Sequence, residues 1–123
     1  MKSAEIRKVI VLEIKCLRSL VRVSRMNKVR NEEVRRRAGI EKDLASIADQ
    51  RVLRWFGHVE RMDEFRMARK VLMAEVSGGR VRGRPRLGWM DGVKVALRNR
   101  GMTAEAARQC GKDWKEWRAL VHM

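Results

Sequence analysis

Apolar residues recur every three or four positions along most of the chain, which is the period of an amphipathic helix. In the first segment this stripe consists of Ile6, Ile10, Ile14, Leu17 and Val21. No stretch alternates apolar and polar residues for long enough to predict a β-strand. The pattern therefore predicts an all-α fold whose first helix begins close to the N-terminus.

Turn and capping residues divide the rest of the pattern into shorter helices. Asn31 is a candidate N-cap, Gly39 is a candidate stop, and Thr103 can cap the last helix. The helices predicted after the first one occupy residues 31–39, 44–62, 65–76, 89–97 and 103–121. In total we expect five to six short amphipathic helices and one exposed loop rich in glycine and arginine.

The Gly/Arg-rich loop, residues 78–88, is expected to separate the central helices from the C-terminal helices. We expect a helical extension at 1–40, a central helical pair at 41–77, the loop itself, and a C-terminal helical pair at 89–123. These segments are expected to form a single compact unit. The first helix has almost no preceding segment, which favours a chain that is part of a longer protein.

Positive charge dominates the composition. The chain has 30 lysines and arginines against 15 aspartates and glutamates, so its formal net charge is +15. Self-repulsion on this scale disfavours a compact state unless a polyanion relieves it. The predicted partner is therefore nucleic acid, either RNA or DNA, and an anionic membrane surface is the weaker alternative.

The cysteines and the short apolar runs indicate an intracellular protein. Cys16 and Cys110 lie far apart and form neither a disulfide framework nor a metal-binding motif. The longest apolar run, Val9–Leu12, is too short to cross a bilayer, and no signal peptide is recognisable. We expect a nuclear or cytoplasmic protein that is not embedded in a membrane.

The sequence contains no pattern that predicts catalysis. A two-metal nucleotidyl-transfer site needs clustered carboxylates, whereas the aspartates of this chain are scattered. They are Asp43, Asp49, Asp63, Asp91 and Asp113. His58 is better explained as a packed or half-exposed histidine than as a general base, and no metal-ligand spacing, Walker loop or dinucleotide fingerprint is present. We expect neither an enzyme nor a bound metal or cofactor.

The loop carries the most specific binding signal. Its candidate contacts are Arg80, Arg82, Gly83, Arg84, Pro85 and Arg86. In an extended chain alternate arginines point the same way, and such a strip fits a narrow minor groove. The core Arg82–Pro85 resembles an AT-hook. A basic hinge between two helical segments and an arm that follows phosphates without groove specificity remain open as alternatives.

Further basic and aromatic positions lie on the predicted helices. Arg51, Arg54 and Arg61 are candidate phosphate contacts, although a charged helix face is more often a solvated surface. The four tryptophans lie on the apolar stripes, which favours core packing over base stacking. They are Trp55, Trp89, Trp114 and Trp117.

Two sequence blocks resemble a known family. Arg51–Met62, with the sequence RVLRWFGHVERM, resembles a block downstream of the reverse transcriptase domain in non-LTR (LINE-like) retrotransposon polyproteins. Gly83–Arg86, followed by Trp89 and Asp91, resembles a second block of the same family in the same order. Residues 10–22, followed by residues 31–39, are similar to the segment that joins polymerase and tail. The RTE-like group is the nearest match.

The resemblance implies a C-terminal tail or remnant of such a polyprotein. The catalytic domains of the family would lie upstream, and the tail would hold template RNA or target DNA without catalysing a reaction. The zinc knuckle of some family tails is not expected, because its cysteines are absent. The alternative function is structural, in which the segment supports the upstream reverse transcriptase domain and binds nothing by itself.

Overall fold

The computed structural model describes residues 3–74, 82–83 and 88–122 of the chain. Within these ranges it contains seven α-helices, one 3₁₀ turn and no β-strand. The all-α prediction is confirmed, while the predicted count of five to six helices is slightly low. The helices are α1 Ser3–Leu20, α2 Asn31–Ala38, α3 Leu44–Glu60, α4 Met67–Met73, α5 Trp89–Arg98, α6 Ala104–Cys110 and α7 Trp114–His122, and the 3₁₀ turn is Arg25–Asn27.

The additional helix results from a break inside the predicted C-terminal helix. Asp113 ends the turn after α6, and its Oδ1 accepts hydrogen bonds from the backbone N–H groups of Lys115 at 2.7 Å and Glu116 at 3.4 Å. A side chain that binds these otherwise unpaired N–H groups starts a new helix. Thr103 caps α6 as expected, because its Oγ1 accepts from the N–H of Ala106 at 3.4 Å.

The chain divides into two compact units, Met1–Ala48 and Asp49–Met123, instead of the single unit that we expected. The core of the first unit joins α1 to α2. Ile14 and Leu17 of α1 form an apolar cluster with Val34 of α2, which is fully buried. Gly39 ends α2 with a φ of +71°, a left-handed conformation that glycine adopts readily.

The second unit has the larger core. It gathers the apolar faces of α3, α5, α6 and α7, and its buried members are Leu53, Phe56, Val93, Ala96, Leu97, Ala107, Trp117 and Val121. Fully burying a large apolar side chain stabilises a fold by roughly 1.5–3 kcal/mol. Residues of α5, α6 and α7 thus pack with those of α3 to form this core.

An acidic side chain is also buried in the second unit. The carboxylate of Glu60, at the end of α3, is 1% exposed and forms an ion pair with Arg69 of α4. The Nε of Arg108 on α6 lies 3.9 Å from its other oxygen, Oε1. The pairing lets a charge remain inside the protein and holds two further helices near the end of α3.

Candidate nucleic-acid interface

Two polar stripes of the second unit line one cleft. Residues spaced by three or four positions share a helix face, and both stripes have this spacing. They consist of Arg54 and His58 on α3 with Arg61 directly after its end, and of Trp114, Arg118 and His122 on α7. The buried residues Trp117 and Val121 complete the lining of the cleft, whose volume is about 500 Å³. Ligand pockets typically measure roughly 300–1,000 Å³.

Core contacts hold the two helices of the cleft together. The indole Nε1–H of Trp117 donates a buried hydrogen bond to the carbonyl oxygen of Leu53 at 3.0 Å. The rings of Phe56 and Trp117 also meet, with their centroids 5.7 Å apart. Because these contacts come from the inner faces of α3 and α7, the outer polar stripes are held in position before any ligand binds.

Trp114 forms the aromatic part of the cleft and is 54% exposed. The guanidinium carbons of Arg61 and Arg118 lie 5.3 Å and 5.8 Å from its ring centroid, within the range of a cation–π interaction. Arg61 is held further by a hydrogen bond from its Nη1 to the carbonyl oxygen of Gly111 at 2.9 Å. The cleft therefore combines an accessible π-surface with fixed positive charge.

Among the residues that the structure describes, no carboxylate lines this cleft. Within the described ranges Arg54 forms no hydrogen bond or ion pair, and Arg118 contacts only the Trp114 ring. Other arginines are neutralised, since Arg35 pairs with Glu13 at 3.1 Å and Arg36 pairs with Glu33 at 2.8 Å. The cationic groups of the cleft thus remain available to an external anion.

The structure brings together two of the three candidate helix arginines. Arg54 and Arg61 both line the cleft, whereas Arg51 is exposed on α3 and is not among the lining residues. In the loop, Arg82 and Gly83 are exposed, and Gly83 has a φ of +134°, which side chains other than glycine rarely adopt. The remaining loop candidates, Arg80, Arg84, Pro85 and Arg86, lie outside the described residues.

The expectation that all four tryptophans pack in the core is wrong for three of them. Trp117 is buried, but Trp55, Trp89 and Trp114 are 51%, 45% and 54% exposed. The sequence reasoning also missed Arg118 and the role of His58 in the cleft. The signal was present in the spacing, because Arg54, His58 and Arg61 recur with helical period.

The described residues offer neither a metal-binding cluster nor a membrane span. They contain no group of three or more histidine, cysteine, aspartate or glutamate side chains that could hold a metal ion. None of the helices described has the length and apolar character that crossing a membrane requires.

Comparisons with known proteins identify no relative of this chain. No family model, no curated protein and no solved structure matches it.

Proposed function

We propose that the protein binds nucleic acid, without catalysing a reaction, through the cleft between α3 and α7. The observation that carries this proposal is the set of three arginines, Arg54, Arg61 and Arg118, around the exposed ring of Trp114, with no carboxylate in the lining. Guanidinium groups recognise phosphates, and an aromatic surface accepts a base.

The charge of the whole chain supports the same proposal. A net charge of +15 produces a long-range field that attracts polyanions and raises the rate of encounter. Binding to nucleic acid releases condensed counterions, so its affinity falls as salt rises. A surface that merely keeps a protein in solution does not require uncompensated arginines gathered in one concave site.

The Gly/Arg-rich loop is the second proposed contact. Arg82 is exposed, and its neighbour Gly83 has a positive φ and no side chain. The backbone at Gly83 can therefore approach a ligand surface closely. An AT-hook mode in the minor groove and a phosphate-following arm both use these residues. A hinge without contacts is the third alternative for this loop.

We also propose that the chain originates from the C-terminal tail of a non-LTR retrotransposon reverse transcriptase. The support is the sequence of Arg51–Met62 and of the Gly83–Asp91 region. Residues of Arg51–Met62 contribute both to the core and to the cleft. Phe56 and Gly57 are buried, and His58 lines the cleft. Such a tail would act inside the cell, in the nucleus or cytoplasm. An in-frame polymerase-coding sequence directly upstream in the genome would support this origin, and its absence from every genomic copy would count against it.

The binding proposal is tested by titrating fluorescently labelled RNA and DNA with the protein at several salt concentrations. We expect log affinity to fall linearly with log salt. Each neutralised phosphate adds about 0.9 to the slope for B-DNA and about 0.7 for a single strand. The double substitution Arg54→Gln with Arg118→Gln should therefore reduce the slope by roughly 1.4 to 1.8 and weaken binding.

A charge-matched control separates the cleft from net charge alone. The double substitution Arg36→Gln with Arg37→Gln also removes two positive charges, but both guanidinium groups already pair with Glu33 at 2.8 Å. This control should alter the slope less than the cleft variant. Equal slopes for the two variants would contradict a specific role for the cleft, and a folded wild-type protein that binds no oligonucleotide at low salt would refute the proposal.

The loop contact has its own variant. Arg82→Ala with Arg84→Ala should lower the salt slope and the affinity for duplex DNA. An advantage of A·T-rich over G·C-rich duplexes in the wild-type protein would support the minor-groove mode. If the variant titrates like the wild-type protein, the loop is a hinge.

A structural role is the second candidate function. An apolar groove of about 680 Å³ in the second unit is lined by exposed residues that include Trp55, Met67, Val71 and Trp89. In the proposed parent protein the upstream reverse transcriptase domain would cover such a groove. This function predicts weak binding of nucleic acid at low salt and binding of the separately produced polymerase domain, which Trp55→Ser and Val71→Ser should abolish.

A further inference from the structure

We infer that the cleft takes a single unpaired nucleotide of a nucleic-acid strand, with the base stacked on Trp114 and the phosphate held by the cleft arginines. This inference rests on the proposed nucleic-acid binding and specifies its ligand as single-stranded. It depends on the concave shape of the cleft, on the exposed indole, and on the different ways in which Arg61 and Arg118 are held.

The shape of the site favours an unpaired nucleotide over a duplex. In a duplex the base faces are covered by their neighbours, so a protein reaches only base edges and the phosphate backbone. Here the aromatic ring belongs to a concave cleft of about 500 Å³ that is bounded by two helices. A flexible strand can place a base in such a cleft, whereas the backbone of a duplex would meet only the arginines at its rim.

The two arginines beside the ring are held differently, which leaves space for a base. The guanidinium of Arg61 is anchored by the carbonyl oxygen of Gly111 at 2.9 Å. Arg118 contacts only the Trp114 ring within the described residues, and its side chain is exposed. Arg118 can therefore leave the ring to contact a phosphate while a base occupies the ring surface, because base stacking and a charge-assisted phosphate contact replace one cation–π contact.

The phosphate side of the nucleotide is provided by α3. Arg54, His58 and Arg61 follow one another along one helix face, and Arg54 has no partner among the described residues. A strand whose base lies on Trp114 of α7 would direct its phosphate towards this stripe across the cleft. The site thus offers an aromatic surface to the face of a base and positive charge to its phosphate.

The test compares a single-stranded oligonucleotide, a blunt-ended duplex that contains the same strand, and a mononucleotide from that strand. We expect the single strand to bind about tenfold or more tightly than the duplex at equal salt. Trp114→Ala should weaken single-strand binding by about tenfold or more, as for loss of one stacked base, and should leave duplex affinity and the salt slopes unchanged. Trp114→Phe, which keeps an aromatic ring, should restore most of the loss.

A matched control and an optical signal separate stacking from a general disturbance. Phe65 is also an exposed aromatic residue but does not line the cleft, so Phe65→Ala should leave single-strand affinity unchanged. Stacking on Trp114 should quench part of the tryptophan fluorescence on binding, and Trp114→Phe should lose that quenching. Circular dichroism of each variant should match the wild-type spectrum, since neither side chain belongs to the buried core.

The outcomes distinguish this inference from the proposed function. If duplex and single strand bind equally and Trp114→Ala changes neither, the stacking inference fails while arginine-mediated binding survives. If the mononucleotide binds as tightly as the strand, the ligand is a free nucleotide and the strand inference is overturned. If no polynucleotide binds although the protein is folded, the proposed function itself fails.

Discussion

The indole of Trp117 lies directly against Gly57, and a Cβ added at Gly57 would overlap the Nε1, Cδ1 and Cε2 atoms of that ring. Gly57 has an ordinary helical backbone, so the glycine is needed for space and not for backbone freedom. The same ring donates its N–H to the carbonyl oxygen of Leu53 one turn earlier on α3. Helix α7 can therefore approach α3 only where α3 lacks a side chain.

Replacing Gly57 by alanine should destabilise the second unit. The methyl group would force apart two packed helices, and overpacking of a core typically costs roughly 1–3 kcal/mol. Gly92→Ala on α5 is the matched control, because nothing lies within 4 Å of a Cβ at that position. That substitution should be neutral or stabilise the helix by up to about 1 kcal/mol. Urea unfolding curves measure both changes, and equal stability of the two variants would contradict the contact.

Neutralising Glu60 should be strongly destabilising. The substitution Glu60→Gln removes the charge that compensates Arg69, which is itself 13% exposed. Breaking one partner of a buried pair typically costs about 3–5 kcal/mol. Glu64→Gln, at an exposed position four residues further along the chain, should change the unfolding free energy by less than about 0.5 kcal/mol. Similar values for the two variants would mean that the pair does not stabilise the unit.

The cap at Asp113 should determine where α7 begins. Asp113→Ala removes the oxygen that accepts from the N–H groups of Lys115 and Glu116, which should cost about 1 kcal/mol. Asp113→Asn keeps an acceptor oxygen and should retain most of the stability, because asparagine caps helices about as well as aspartate. Thermal unfolding distinguishes the two variants. Equal losses would assign the effect to the negative charge and not to the cap.

The two cysteines should react at different rates with a thiol reagent. Cys16 is exposed, whereas Cys110 is partly covered, and burial raises the pKa of its thiol above the usual value, with Glu116 adding to the shift. Because the thiolate is the reactive form, a raised pKa lowers reactivity at neutral pH. Alkylation followed by peptide mass spectrometry should show Cys16 modified first. Faster modification of Cys110 in the folded protein would contradict this environment.

The carboxylate of Glu33 should titrate below its ordinary value. Hydrogen bonds from Arg37 and then Arg36 lower the pKa of Glu33 from the ordinary value of 4.5. A lowered folded pKa contributes stability that is present above the unfolded pKa and is lost as the pH falls through the folded pKa. An NMR titration of the side-chain carboxyl carbon should show the low midpoint, and Arg36→Gln with Arg37→Gln should return it towards 4.5. An unchanged midpoint in that variant would exclude the arginines as the cause.

The spacing of the apolar residues predicts most of the helices. The main error of this prediction, the missed break between α6 and α7, has a physical cause. The helix predicted at 103–121 has an apolar stripe that continues across the break between α6 and α7 without a change of phase, and its residues are Ala106, Cys110, Trp114, Trp117 and Val121. Periodicity alone therefore could not separate the two helices. The sequence Gly111-Lys112-Asp113 contains the signal, because glycine and an acidic cap together often end one helix and start another.

The site was predictable only in part. The positive charge predicted Arg54 and Arg61 as phosphate contacts, and both line the cleft. Trp114 and Trp117 share one apolar stripe, yet one is 54% exposed and the other is buried. The stripe is wider than the surface that α3 covers, so the choice between the two rings depends on how α7 is rotated against its neighbour. Gly57 determines that rotation, because it leaves room for the Trp117 ring. The sequence does not show that Trp117 is the ring that packs there.

The bond between Trp117 and Leu53 joins residues 64 positions apart in the chain. A growing polypeptide that has emerged from the ribosome only as far as α6 therefore displays Arg54 and Arg61 but lacks both the Trp117 indole of the core and the Trp114 indole that we propose receives a base. Domains generally fold as units during synthesis, so the proposed capture of a nucleotide would have to wait until α7 has emerged.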